Sequence, residues 1–172
     1  LEVVEANRSI IETAHVFSRT NFGVRENDRV RFYLDDGGNF LASAYDMYDL
    51  IAIDIAPHSS STPHHYYTQH FYDAAKQHLT PKGLVAQRFA AFTMPHQAVR
   101  RAIATFASSF EHTALLIGHG RELILLGSNS PINWQQLEDS FWKRHGVRID
   151  LDRLGVPSPQ FLLARLIMLD SQ

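Results

Sequence analysis

The stretch YDLIAIDIAP, residues 48–57, sets an unbroken apolar run, Leu50 to Ile53, directly before a carboxylate, Asp54. A short apolar run without alternation predicts a strand buried on both faces of a parallel sheet. An ionised acid at the end of such a strand is costly unless something pairs with it. Ile55-Ala56-Pro57 supplies no positive charge.

Working outward, strand-like and helix-like stretches alternate in the βαβ manner of a parallel sheet with helices on both faces. Leu1 to Glu5 reads as a strand, and Asn7 as the cap of a helix with Ile10, Ile11, Ala14 and Phe17 on one face. Asn21 to Asp28 reads as a loop, Val30 to Leu34 as a strand, Asp36-Gly37-Gly38 as a turn and Asn39 to Ala44 as a short helix. Beyond Asp54, Thr68 caps a helix that Thr80-Pro81-Lys82-Gly83 stops, and Leu84 to Arg88 follows as a strand. Pro95 to Phe110 has helical spacing. His112–Ile117 and Glu122–Leu126 form an antiparallel closing pair around the hairpin signal Gly118-His119-Gly120. Two further helices are predicted, one from Ser130-Pro131 with Trp134, Leu137 and Phe141, the other from Ser158-Pro159 with Phe161, Leu162, Leu166 and Leu169. The organisation expected is a Rossmann-like nucleoside-binding domain over residues 1–130 and a helical appendage over 131–172.

A chain of 172 residues with 45% hydrophobic and 20% charged residues has ample material for one core. A formal charge of -2 gives no strong field of either sign, which argues against nucleic acid and anionic membranes as partners. The absence of cysteine excludes disulfides, thiol nucleophiles and zinc–thiolate sites, and a cytoplasmic location is expected. No membrane segment and no signal peptide is read. The first residue is Leu rather than Met, so a fragment or a processed product is expected.

In an open parallel sheet the ligand crevice lies beyond the carboxyl ends of the strands. The predicted strands end in Glu5, Asp35-Asp36, Asp54 and Gln87-Arg88. Three strands delivering acids to one edge suit a ligand rich in hydroxyls, amines or positive charge. Glu5 offers two acceptors to the hydroxyls of a ribose, or else it faces the positive end of the next helix. Asp36-Gly37 presents an acceptor to an adenine amino group with the backbone close behind, or else it is a tight turn. Ten histidines, among them His58, His64, His65 and His70, match no familiar ligand spacing, and no metal is expected. Tyr66 and Tyr67 are candidates to line an amine pocket, although one of them can pack in the first turn of the helix. Ser59-Ser60-Ser61 reads as loop, and no Gly-x-Ser-x-Gly elbow supports a hydrolase.

VVEANRSII, VRFYLDDGGNFL, YDLIAIDIAP and YYTQHFYDAAKQHLTPKGLVAQ, in this order, resemble the spermidine synthase (polyamine aminopropyltransferase) family over Leu1 to Gln87, and more loosely to Leu126. The resemblance implies a class I S-adenosylmethionine-type Rossmann fold, mostly parallel with an antiparallel final hairpin. It implies no prosthetic group, with decarboxylated S-adenosylmethionine as co-substrate and a polyamine such as putrescine as acceptor. By it, Glu5 holds the ribose, Asp36 and Gly37 address adenine, and Asp54 is catalytic, serving the attacking amine. Pro57 stands where the family carries a second acid, and the glycine-rich loop expected before Glu5 is not in the sequence. The strand that bears that loop lies between the strands ending in Glu5 and Asp54, so a homo-oligomer or a longer parent chain is expected. The other readings are a methyltransferase using S-adenosylmethionine and a degenerate domain that binds a nucleoside without catalysis. A nicotinamide-dependent oxidoreductase ranks last, since it leaves Asp36-Gly37 and Asp54 unexplained together.

Overall fold

The computed structural model of the protein describes residues 1–55, 64–89, 91, 94–118 and 122–169. Pro57, His58, Ser59-Ser60-Ser61 and His119-Gly120 lie outside the described residues. The chain divides into two compact units, Leu1–Asp46 and Met47–Gln172.

In the first unit β1 (Glu2–Val4) and β2 (Arg31–Tyr33) pair in parallel, with Val3 opposite Phe32. Asn7 caps α1 (Arg8–Thr13) by accepting the Ser9 amide at 3.0 Å. The single amphipathic helix expected here is instead broken. α1 gives way to a 3-10 turn over Ala14–Phe17 and then to α2 (Ser18–Asn21), leaving Ile11 buried but Ile10 and Phe17 exposed. Thr13 shows the local cause, since its hydroxyl bonds back to the Ser9 carbonyl at 2.6 Å, a contact that competes with regular helix. The expected loop holds a further 3-10 turn at Val24–Glu26, entered through Phe22 and Gly23 at φ 59° and 63°. α3 (Gly37–Ser43) starts two residues before the predicted Asn39, because Asp36 acts as its N-cap instead of sitting in a free-standing turn.

The second unit is built on a five-stranded sheet in the order β3-β4-β6-β5-β7. β3 (Tyr48–Asp54) and β4 (Leu79–Phe89) are parallel, while β6 (Leu123–Ser128) runs antiparallel to both β4 and β5 (His112–Ile117). The closing antiparallel pair thus forms as the sequence predicts. α4 (Gln69–Gln77), capped by Thr68, and α5 (His96–Ser109) complete the α/β pattern.

Three expectations are corrected. Thr80-Pro81-Lys82-Gly83 does not precede the strand; it lies inside β4 as an irregularity, so that Tyr48 opposes Leu79 while Leu50 opposes Leu84. Gly83 is required there, because a Cβ would sit 2.8 Å from the Tyr48 carbonyl oxygen. β3 is not buried on both faces: Ile53 is buried, but Leu50 is 55% exposed and Ala52 is exposed. β3 is the outermost strand of its sheet, and it covers its apolar run on one side chiefly.

The helix predicted through Leu166 and Leu169 also differs. After α6 (Gln135–Lys143) and α7 (His145–Arg153), α8 (Pro159–Leu163) is a single short helix, and Leu166–Leu169 forms β7, antiparallel to β5. Short apolar runs fit either period, and here the open edge of β5 decides.

The core lies under the odd-numbered residues of the sheet. Ile53, Gln87, Leu125 and Leu115 occupy successive register positions and are all buried. Above them an aromatic chain runs from Tyr66 to Phe71 (5.0 Å), Phe71 to Tyr72 (5.9 Å), Tyr72 to Phe106 (5.0 Å) and Phe106 to Phe110 (4.8 Å). Edge-on and tilted ring pairs of this kind add about 0.5–1.5 kcal/mol each beyond the area they bury.

Candidate active site

In the first unit both candidate acids leave the carboxyl edge of the parallel β1–β2 pair. The Glu5 amide donates to the Tyr33 carbonyl at 3.0 Å, extending the ladder, and its side chain accepts the Asn7 amide at 2.7 Å. The Asp36 carboxylate accepts the Gly38 amide at 2.9 Å and the Asn39 amide at 3.2 Å, which makes Gly37 the first residue of α3. Each acid therefore has a structural duty at the start of a helix, where the backbone dipole favours negative charge. Tyr33 fixes the pair of strands from the side, its hydroxyl donating to Glu2 at 2.9 Å and its ring packing on Phe40 at 4.8 Å.

In the second unit Asp54 closes β3 with its side chain 65% exposed. Its register partner on β4 is Arg88. Partners in register point to the same face of a sheet, so the two side chains meet by construction. Both the Arg88 Nε and a terminal guanidinium nitrogen lie 2.6 Å from Asp54 Oδ1. Arg88 in turn opposes Ile124 on β6. Glu122, two residues before Ile124, shares that face and accepts from the other terminal nitrogen of Arg88. The result is a guanidinium on β4 held between the carboxylate that ends β3 and one immediately before β6. Hydrogen bonding to Asp54, reinforced by the charges of both acids and opposed by some desolvation, pushes the Arg88 guanidinium further toward the charged form.

The two tyrosines separate. Tyr66 is buried, edge-on to Phe71 and beside the His65 ring at 4.2 Å. Tyr67 packs edge-on against Phe89 at 5.4 Å and lines an open cleft of about 390 Å³ with Pro95, Ala98 and Arg101 at the start of α5. Burial pushes its phenol up from the usual value. Beneath the strand ends the hydroxyl of Tyr72 donates to Gln87 Oε1 at 2.7 Å, with both side chains wholly buried. Among the described residues no cluster of three or more acids and histidines is placed to hold a metal.

The sequence shows Arg88 as a strand ending but not as the partner of Asp54: that pairing follows from the parallel register of β3 and β4, and the part of Glu122 from the antiparallel register of β6.

Residues 1–118 match the family model of the spermine/spermidine synthase domain. The chain belongs to this family. Among curated proteins, none matches it. Solved structures share its fold at low identity. Spermidine synthase from Thermotoga maritima superposes with a TM-score of 0.71 at 13% identity, over 97% of this chain and 55% of that one. A spermidine synthase in complex with the transition state analogue AdoDATO gives 0.66 at 18% identity, over 75% of this chain and 46% of that one. Human methyltransferase-like protein 13 in complex with SAH gives 0.63 at 22% identity, over 77% and 62%. The fold is thus the Rossmann-like one of methyltransferases and spermidine synthases, and the chain spans only about half to three fifths of the length of these structures.

Proposed function

We propose that the domain belongs to a transferase of the aminopropyltransferase type, one that moves an aminopropyl group from decarboxylated S-adenosylmethionine to a polyamine such as putrescine. The observation that carries this reading is Asp54, an exposed carboxylate ending β3 in a chain whose first 118 residues match the spermine/spermidine synthase domain. Glu5, Asp36 and Gly37 serve the nucleoside, with Glu5 toward the ribose and the Asp36-Gly37 pair toward adenine. Asp54 serves the attacking amine. Tyr67, on the wall of an open cleft, suits the acceptor better than Tyr66, whose ring is committed to the core.

The chemistry sets limits on Asp54. An alkylammonium has a pKa of about 10.4 and an aspartate of about 3.9, so full proton transfer between them in the ground state is uphill by about 9 kcal/mol. Asp54 acts instead by holding and orienting the acceptor: the ammonium first releases one proton to solvent, the neutral amine attacks while held by the carboxylate, and Asp54 accepts a proton from the nitrogen as C–N bond formation makes it more acidic. The nitrogen lone pair forms a bond to the methylene carbon next to the sulfonium, the carbon–sulfur bond breaks, and its electron pair returns to sulfur as a neutral thioether. The positive sulfur is already a good leaving group, so the step requires no covalent enzyme intermediate.

A second reading, a methyltransferase on the same fold, is favoured by the likeness to a human methyltransferase-like protein. Turnover with the carboxylated against the decarboxylated nucleoside separates the two. The decisive experiment on the first is Asp54→Asn in the full parent protein, assayed by chromatography for spermidine formed from putrescine. The expected outcome is loss of transfer with nucleoside affinity kept within about two-fold; unchanged turnover refutes the assignment of Asp54.

A further inference from the structure

Resting on that reading of Asp54, we propose that Arg88 is a built-in competitor for the amine: its guanidinium occupies the cation position on Asp54, and Glu122 is the second acid onto which it withdraws when an acceptor arrives.

The argument starts from geometry. Arg88 sits opposite Asp54 in register and directs two of its nitrogens at the same oxygen, Oδ1, each at 2.6 Å. A carboxylate accepts cations along a small set of lone-pair directions, and a planar guanidinium fork takes up the same directions as an incoming ammonium. Arg88 cannot yield by losing its proton, because guanidinium stays charged throughout the working range of proteins. It yields only by moving. Glu122, already bonded to the far nitrogen, lets that movement happen without stripping Arg88 of a partner.

The exposures fit such an exchange. Glu122 is the most covered of the three at 24%, Arg88 stands at 36%, and Asp54 is the most open at 65%. The anchor is therefore on the sheltered side and the contested acid on the open side. With two acids and one base the cluster carries a net charge of -1, so it still attracts a cation. The guanidinium lowers that attraction without cancelling it. An exposed pair of this kind is modest in strength, which suits a contact that must open in every turnover. A monocation replaces Arg88 on Asp54 with difficulty, whereas a diamine gains from its second charge. Arg88 is thus a specificity-determining, positioning residue rather than a catalytic one.

The test compares wild type, Arg88→Gln, Arg88→Lys and Glu122→Gln in the full parent protein, with putrescine as acceptor and thermal unfolding as a parallel readout. Arg88→Gln is expected to lower KM for putrescine about two- to five-fold with the nucleoside KM unchanged, in keeping with the strength of an exposed charge pair. Arg88→Lys should fall between it and wild type. Glu122→Gln is expected to raise the amine KM by a similar factor, since it leaves Arg88 no alternative acid. A merely structural ion pair would lower the unfolding temperature in all three variants and leave the amine KM alone. Equal amine KM values in wild type and Arg88→Gln, with transfer intact, overturn the proposal and spare the reading of Asp54. If neither protein transfers to or binds putrescine in calorimetry, both fall together.

Discussion

Tyr72→Phe probes a fully buried pair of polar side chains in the core. The substitution removes a single oxygen, and the ring keeps its packing against Phe106 at 5.0 Å, so no cavity of consequence opens. What changes is that Gln87 Oε1, which accepts from Tyr72 at 2.7 Å in a wholly buried position, loses its donor. The remaining contact of Gln87, from Nε2 to the Tyr66 carbonyl at 3.4 Å, is long and compensates little. A typical hydrogen bond is worth about 0.5–1.5 kcal/mol net, but an orphaned buried acceptor costs about 1–3 kcal/mol, so the second figure governs. The expected loss is about 2 kcal/mol, which for a domain of this size lowers the unfolding midpoint by about 4–8 °C.

Differential scanning calorimetry measures the shift. Gln87→Leu should cost at least as much, because it strands the Tyr72 hydroxyl. The double variant should then recover about 1–2 kcal/mol of the summed single losses, since no donor is left without an acceptor within the pair. A midpoint shift below about 1 °C for Tyr72→Phe, or losses that simply add, would refute the claim that this pair is energetically coupled.

Alkaline pH offers an independent check on the same region. Burial raises the Tyr72 phenol, with help from the Tyr67 charge and against the hydrogen bond to Gln87, and burial raises Tyr67 as well. Above the ordinary tyrosine value of about 10 the unfolded chain has released protons that the folded chain retains, so stability is complete below that pH and falls above it by up to about 1.4 kcal/mol per unit for each such group. Urea midpoints from pH 9 to 11.5 should show the decline, less steeply in Tyr72→Phe, and a flat profile in the wild type contradicts the assignment. Gly127→Ala tests the packing of β6: a Cβ there would meet the Phe110 ring at 2.5 Å, so a loss of about 1–3 kcal/mol is expected in thermal unfolding. Phe110→Leu should relieve part of it, and a neutral Gly127→Ala would show that the ring moves aside freely.

The strand at Tyr48–Asp54 was legible because an apolar run ending in an acid has few other uses, and the caps at Asn7, Thr68 and Ser158 were legible because their side chains solve a local problem, the orphan amides of a helix start. Non-local decisions were not legible. Leu166–Leu169 became a strand because β5 offered it an edge, and Thr80-Pro81-Lys82-Gly83 entered β4 because β3 opposite could accept an irregular register. Neither partner is visible from within the segment that it captures. The same holds at the site. Glu5, Asp36 and Asp54 were found as strand endings, but the ion pair of Arg88 with Asp54 and Glu122 follows from two registers of opposite sense, which no window along the chain contains.

The alternation of β4 also explains why stability and chemistry can be separated in this domain. Gln87 and Arg88 are neighbours in sequence, yet the pleat sends one into the core against Tyr72 and the other to the opposite face against Asp54. A substitution at 87 therefore acts on the unfolding midpoint through a buried orphan, while one at 88 acts on a half-exposed pair whose net worth in stability is small. The prediction in its strongest form is a crossed result: Gln87→Leu lowers the midpoint by several degrees with the amine KM little changed in the folded fraction, and Arg88→Gln does the reverse. If both substitutions moved both quantities together, β4 would be transmitting strain between its faces, and the assignment of one face to the core and the other to the amine would have to be abandoned.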